Sequence, residues 1–434
     1  HVTALREGGQ RTGSLARWLG VLTLLVVVAI SYIDRVNVSV LITDSDFTQH
    51  FGIEGNRAVQ GALMTLFLVG YGIAAMLITP WYEAVFGVRR GLIVSLLCWA
   101  LFTLVSPYAG GAVLLLTLRF LLGASEGPLF SLKTMYVKDQ FAEGTWGKPN
   151  AVSSMGVSIG TAVGIPVITF AVVQFGWHGS FLLLAALNLV VGLPLVAAFI
   201  RVSRRRTGVR QPAVQRFTAA LRTPKLGWIL LIEVATLGYL WGSTSWLPSY
   251  LLQARHFSLA QMSALSALPF VVSLASGFLG GYVIDRVSPR RVPIVLVIGS
   301  VGTALCATTV MFAESRWLAA AMLILANGFW GLQGPAIPTL VQQYAPPGTV
   351  GSAYGVINGI GNLVSALLPM LMGVAIALGG NQGFAAGYGL LAATQVLTLL
   401  GAVALLRGRG PHTSAEHPPA DQPAVLKPQP GQTA

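Results

Sequence analysis

Charge is what this sequence lacks most. Of its 434 residues only 9% are Asp, Glu, Lys or Arg, against about 25% in a soluble domain. Cysteine is nearly absent: Cys98 and Cys306 each sit inside an apolar run, which excludes a disulfide framework and a thiolate metal site. The six histidines are scattered, several of them in loops or the tail. They show no metal-ligand spacing and no Ser/His/Asp constellation, so we expect no metal, no cofactor and no enzyme chemistry. Alternating segments of about 10 residues, the mark of a membrane β-barrel, are also missing. The net charge of +13 would suggest nucleic acid in a soluble protein. Here the basic residues gather in the loops of one side, which makes the charge a topology signal instead.

What the sequence has is apolar length. It is 54% hydrophobic, with a mean hydropathy of +0.71. Runs of about 20 apolar residues, enough to cross a bilayer, recur throughout. Twelve are expected, at Ala16–Val40, Arg57–Thr79, Val88–Val105, Gly111–Tyr136, Asn150–Phe175 and Gly179–Ile200, then Leu226–Gln253, Ala260–Ile284, Val292–Phe312, Ser315–Tyr344, Val350–Leu378 and Gly383–Leu406. The basic N-terminus leads into a run too long for a cleaved leader, so the first segment is expected to be a retained span. The fold expected is an all-α polytopic membrane protein of twelve transmembrane helices in two pseudo-symmetric six-helix bundles. The bundles are 1–200 and 226–408, joined by a basic linker at 201–225 and followed by a disordered tail at 409–434. The linker cluster, Arg89, Arg90, Arg286, Arg290 and Arg291 share one side, while only Arg57, Arg255 and Arg316 take the other. That asymmetry predicts an inner membrane protein with both termini cytoplasmic. "PWYEAVFGVRRG" after the second span and "GGYVIDRVSPRR" after the eighth echo each other, as a duplication would.

Five ionisable residues fall well inside spans: Asp34, Arg35, Arg119, Glu126 and Glu233. Lys133, nearer a helix end, has a stem long enough to snorkel. Each charge at mid-membrane costs at least about 2.5–3.5 kcal/mol, so each needs a partner or a watery cavity. Asp34 and Arg35 are neighbours and point about 100° apart on a helix, so they serve different partners. Arg119 and Glu126 share a face two turns apart. The arrangement expected has Arg119 neutralising one acid and Arg35 left for a substrate anion, to which its planar fork is suited. Asp34 and Glu126 are candidate proton carriers, with Arg119 alongside. Glu233 is a third proton site, a specificity determinant, or an acid in a polar niche near the helix end. Trp241 beside "GSTS" and Gln333 in span 10 are candidate lining residues. Gly156, Gly160 and Gly164 lie four apart and permit close helix contact.

The paired-loop element resembles the signature of the major facilitator superfamily. "GYVIDRVSPRR" is the better copy, with Asp285 and Arg286; Glu83 and Arg90 stand in the first-half copy. The resemblance implies a gating role for those four residues. "YIDRVNVS", "LRFLLGASEGPLF", "WLPSYL" and "GVINGIGNLVSALLP" are similar to the anion:cation symporter branch of that superfamily. This implies import of a small organic anion, a carboxylate, coupled to protons by alternating access. It also implies protons on Asp34 and Glu126, and substrate contacts from Arg35, Tyr71 and Asn358. Ser158 stands where sugar-acid carriers often place Gln. The expected partners are the anion, protons and the lipid bilayer, not nucleic acid, and the expected functional unit is a monomer. The alternatives are a proton-coupled exporter of a larger metabolite or drug and, more distantly, a membrane enzyme or receptor.

Overall fold

A computed structural model describes residues 2–79, 82, 85–141, 147–201, 213–284, 286–345 and 350–410. Glu83 and Asp285, expected in the gating loops, lie outside the described residues, as do most of the linker and nearly all of the tail.

Every regular element among the described residues is a helix. In hydrocarbon a backbone has no water to bond, and a helix satisfies its own polar groups. Eleven helices are long and apolar enough to cross a membrane. They are Gly13–Leu41 (span 1), Arg57–Leu77 (span 2), Gly87–Tyr108 (span 3), Ala112–Val137 (span 4), Val152–Phe199, Leu226–Ala254 (span 7), Leu259–Ile284 (span 8), Pro289–Phe312 (span 9), Arg316–Val341 (span 10), Ala353–Leu378 (span 11) and Gly380–Arg407 (span 12). The fifth has 48 residues, about 72 Å at helical rise, or roughly twice a bilayer core. Gly176 breaks it at φ 72 and ψ 176, a conformation open to glycine. Residues 152–175 are therefore span 5 and residues 177–199 span 6, which makes twelve crossings. An even number returns the chain to the side it started from. That side is called the linker end here, and the opposite one the far end.

Proline shapes the spans that matter most. Span 4 is interrupted at Gly127–Pro128, between Ala112–Glu126 and Leu129–Gln140. Span 10 is interrupted at Gly334–Pro335, between Arg316–Gln333 and Ala336–Tyr344. Proline lacks the N–H and clashes with the preceding turn, so each helix restarts there. Glu126 and Gln333 thus hold matching places in the two halves, each directly before Gly-Pro. In span 6 the residues Leu187–Gly192 form a π-helical turn just before Pro194.

Glycines let helices touch backbone to backbone. A Cβ on Gly156 would lie 2.5 Å from the Leu25 carbonyl oxygen, and one on Gly164 2.7 Å from a Val36 methyl. Gly160 presses on Ala29 between them, so the expected glycine face packs span 5 on span 1. Gly70, Gly123 and Gly127 bring spans 2 and 4 together in the same way, against Phe120, Phe67 and Tyr71. A further glycine seam joins span 2 to span 11. A Cβ on Gly72 would meet Leu363 at 2.6 Å, and one on Gly359 would meet Met76 at 2.8 Å. The outer surface carries large apolar side chains such as Val190, Phe278 and Phe312, at 71%, 61% and 76% exposure. A soluble surface rarely tolerates that density, whereas a lipid-facing one requires it. Cys98 and Cys306 are free thiols.

Candidate functional site

Glycine contacts pack span 1 on span 5 and span 2 on span 4, and the buried charges of spans 1 and 4 meet between them. Arg35 Nε donates to Glu126 Oε2 at 3.1 Å, with both side chains at 1% exposure or less. This is the opposite pairing to the one expected. Arg119 does not take the acid: its Nε donates to the Leu63 carbonyl of span 2 at 3.2 Å, and its guanidinium lies 4.8 Å from the Phe67 ring centre. The reason is reach. Arg119 is two turns from Glu126, about 10.5 Å along the axis, whereas Arg35 enters from span 1 at the level of Glu126. Arg119 remains close enough to both Asp34 and Glu126 for its charge to act on them.

Asp34 turns away from Arg35, as a neighbour 100° around the helix must. Its Oδ2 accepts from Asn188 Nδ2 at 2.9 Å. Asn188 Oδ1 in turn accepts from Trp99 Nε1 at 2.5 Å. Indole nitrogen only donates, so it fixes the Asn188 amide with its oxygen toward Trp99 and its nitrogen toward Asp34. Asn188 and Trp99 are fully buried. Asn188 opens the π-helical turn and also donates to the Leu184 carbonyl at 3.0 Å. Such turns recur at functional sites. The Asn188–Trp99 pair did not emerge from the sequence; its one signal was a lone Asn in the apolar run "AALNLVVG".

Around Arg35 the walls are aromatic. Its guanidinium carbon lies 4.3 Å from the Tyr32 ring centre, 4.7 Å from Tyr71, 5.4 Å from Phe67 and 5.6 Å from Trp241. Each ring presents its negative face to the cation. Tyr32 of span 1 stacks on Trp241 of span 7 at 5.8 Å, so the box closes across the two halves. Trp241 Nε1 donates to Asn362 Oδ1 at 3.2 Å, and Asn362 Nδ2 donates to Asn358 Oδ1 at 3.2 Å. Arg35 Nη2, Asp34 Oδ1, Glu126 Oε1 and Arg119 Nη2 are buried without a hydrogen-bond partner among the described residues. Four orphan polar atoms in one cluster are unusual for a finished ion network, in which each would be satisfied.

The two ends of the bundle differ. At the far end Arg57 Nη2 of span 2 donates to Gln253 Oε1 of span 7 at 2.5 Å. The Arg57 guanidinium also packs near Trp246 and Phe384. Trp246 Nε1 donates to the Pro369 carbonyl at 2.9 Å. That end is sealed. Toward the linker end, Tyr354 on span 11 is 38% exposed.

The remaining expected residues divide. Tyr71 and Trp241 join the Arg35 box, and Asn358 reaches it through Asn362. Ser158 is partly buried on span 5, one turn from Ser154. Gln333 does not join: it is fully buried, and its Nε2 donates to Gln395 Oε1 of span 12 at 2.9 Å. Lys133 does not snorkel; it is 4% exposed, and its Nζ donates to Ser154 Oγ at 2.7 Å. Arg90 is exposed, and Arg286 stacks on Tyr282 at 3.8 Å. Glu233 is 5% exposed and stands apart from the cluster. Among the described residues no group of three or more His, Cys, Asp and Glu side chains could hold a metal ion.

Comparison with known proteins agrees with this architecture. Residues 24–369 match the Major Facilitator Superfamily profile. The chain is 28% identical over 415 residues to a probable sulfoacetate transporter of Cupriavidus necator, covering 88% of this chain and 94% of that one. It is 24% identical to a probable galactarate/D-glucarate transporter of Escherichia coli, covering 85% and 90%. It is 25% identical to a hexuronate transporter of Bacillus subtilis, covering 92% and 97%. Among solved structures, a D-xylose–proton symporter superposes with a TM-score of 0.74 at 15% identity, over 90% of this chain and 97% of that one. A bacterial homologue of the lysosomal transporter Spinster, inward-facing and unoccupied, gives 0.72 at 16%, over 90% and 96%. The matched profile runs from within span 1 to within span 11, most of the sequence, and with it the twelve-crossing fold and its Gly-Pro repeat establish that the chain belongs to the Major Facilitator Superfamily.

Proposed function

We propose that this multi-pass membrane protein is a secondary transporter that carries a small organic anion coupled to protons. The observation that carries the proposal is Arg35, a buried guanidinium that spends one edge on Glu126 and keeps Nη2 unpartnered inside an aromatic box. An incoming carboxylate or sulfonate completes that fork. As the anion draws Arg35 away, Glu126 is left without its cation, a state too costly to persist in a buried site. A proton neutralises it: the carboxylate becomes a carboxylic acid as the substrate takes the guanidinium. Asp34, held by Asn188, is the second acid of the device, and Arg119 is positioned to bias both. Tyr71, Trp241 and Asn358 line the box, with Ser158 on its linker side.

The relatives support this substrate class, since their names concern sulfoacetate, sugar diacids and hexuronates. In this account residues 1–200 rock against residues 226–408 about the site, a midplane arrangement common to such transporters. The charge asymmetry of the loops puts the linker end in the cytoplasm of an inner membrane, the direction of transport is import, and the functional unit is one chain. The loop arginines Arg90 and Arg286, with Glu83 and Asp285, serve as gate elements. The test is counterflow: proteoliposomes loaded with unlabelled sulfoacetate, D-glucarate or a hexuronate should take up labelled anion of the same kind. Absence of exchange for all three overturns the proposal.

A further inference from the structure

One acid takes no part in the cluster just described. Glu233 lies on span 7, eight residues before Trp241 and about 12 Å nearer the linker end. Its side chain is 95% buried, the complement of its 5% exposure. Among the described residues no Lys, Arg or His lies within salt-bridge distance of it, and its carboxyl makes no hydrogen bond to any of them. Room is kept for it. A Cβ on Gly361 of span 11 would meet Glu233 Cγ at 2.7 Å and Leu237 at 3.2 Å. A glycine on the facing helix therefore makes the space an acid side chain occupies, which is not how a chain accommodates an accident of sequence.

The groups around Glu233 are poor in charge. Span 1 presents Tyr32 and span 11 presents Tyr354, and both feel the Glu233 charge. Span 10 meets span 7 one turn on, where Trp330 donates to the Thr236 carbonyl at 3.2 Å. Span 12 packs Gly401 against Ile232 beside it. No cation faces the acid from any of these spans among the described residues. A carboxylate held in a low-dielectric site without a cation must be neutralised by something that comes and goes. Tyr354, two turns along span 11 from Gly361 toward the linker end, is 38% exposed. Asp34 and Glu126, at 1% and 0% exposure, lie deeper. Tyr32 ties the two regions together, since it also packs 4.3 Å from the Arg35 guanidinium.

We propose that Glu233 is a second proton site, carried on the C-terminal half and loaded from the linker end independently of Asp34 and Glu126. Its chemistry is one proton bound to one carboxylate oxygen, and released on the other side of the membrane after the halves have rocked. A charged Glu233 repels an anion at Arg35, while a protonated one does not, and that difference couples the site to substrate. The inference rests on the reading of the chain as a proton-coupled anion transporter. It adds a second proton per anion, one borne by each half.

The test uses the full chain in liposomes, with the membrane potential clamped at zero by potassium and valinomycin, and sulfoacetate, D-glucarate and a hexuronate as probes. At zero potential each coupled proton multiplies steady-state accumulation about tenfold per pH unit of gradient. Wild type should accumulate the anion about 100-fold at one unit, and E233Q about tenfold, with counterflow retained in the variant. Equal accumulation by E233Q and wild type overturns the proposal. If E233Q is lost to misfolding, E233A is read in its place: loss of one proton per anion from the wild-type slope supports the site, and an unchanged slope overturns it. Accumulation that follows a sodium gradient instead of the pH gradient overturns it as well. No exchange of any probe by wild type overturns the transporter reading, which is a separate failure.

Discussion

Replacing Asn188 with Leu removes one amide from the centre of span 6 and disconnects two partners at once. Trp99 Nε1 loses its acceptor, and Asp34 Oδ2 loses its donor. A buried indole N–H left unsatisfied costs about 1–3 kcal/mol, and a hydrogen bond to a charged carboxylate is worth about 1.5–3. Leu fills similar space, so little cavity term is added. The loss expected is roughly 3–6 kcal/mol, a large share of the about 5–15 kcal/mol that holds a typical domain. The variant should unfold at clearly lower temperature in detergent. It should also change the pH profile of uptake, because the donor held against Asp34 Oδ2 is gone. Trp99→Phe is the control. It leaves the Asn188–Asp34 bond in place and should cost only about 1–3 kcal/mol, with the pH profile unmoved. A normal profile in Asn188→Leu, or an equal shift in Trp99→Phe, refutes the role given to the amide.

Other outcomes follow from the same geometry. Arg35→Lys keeps a positive charge but gives up the planar fork. Apparent affinity for the anion should fall about tenfold or more by uptake kinetics, while Arg35→Ala, which strands Glu126, should also lose about 3–5 kcal/mol of stability. Gly123→Ala places a methyl on the Phe67 carbonyl, and the yield of folded protein on size-exclusion chromatography should drop sharply. Gly13→Ala meets nothing within 4 Å, and that control should match wild type or improve on it slightly, through the better helix propensity of Ala.

The spans and their charges were legible because hydrocarbon penalises charge so strongly that Asp34, Arg35, Arg119, Glu126 and Glu233 stand out from apolar surroundings. The face-sharing glycines at 156, 160 and 164 were legible for a related reason, since helical periodicity depends only on spacing. Pairing was not legible. Whether Arg35 reaches Glu126 depends on how span 1 sits against span 4, and that register is set in three dimensions by the packing of span 1 on span 5 through Gly156, Gly160 and Gly164 and of span 2 on span 4 through Gly70, Gly123 and Gly127. Asn188 went unseen because one neutral amide in an apolar run carries no charge penalty to mark it. Gln333 looked like a lining residue because a polar side chain in a span suggests a cavity, yet Gln395 on a neighbouring span satisfies it. The repeat of Gly-Pro after Glu126 and after Gln333 shows that the two halves keep the same hinge while only one keeps the acid.

The most direct test of the central claim is uphill accumulation by Asp34→Asn. The substituted amide can still accept from Asn188 Nδ2, so the fold and the Trp99 contact are preserved, and only the exchangeable proton is removed. With a pH gradient of one unit at zero membrane potential, wild type should concentrate the anion about 100-fold inside proteoliposomes, whereas Asp34→Asn should exchange it in counterflow but accumulate it only about tenfold, one coupled proton fewer. Accumulation by Asp34→Asn equal to that of wild type would contradict the account.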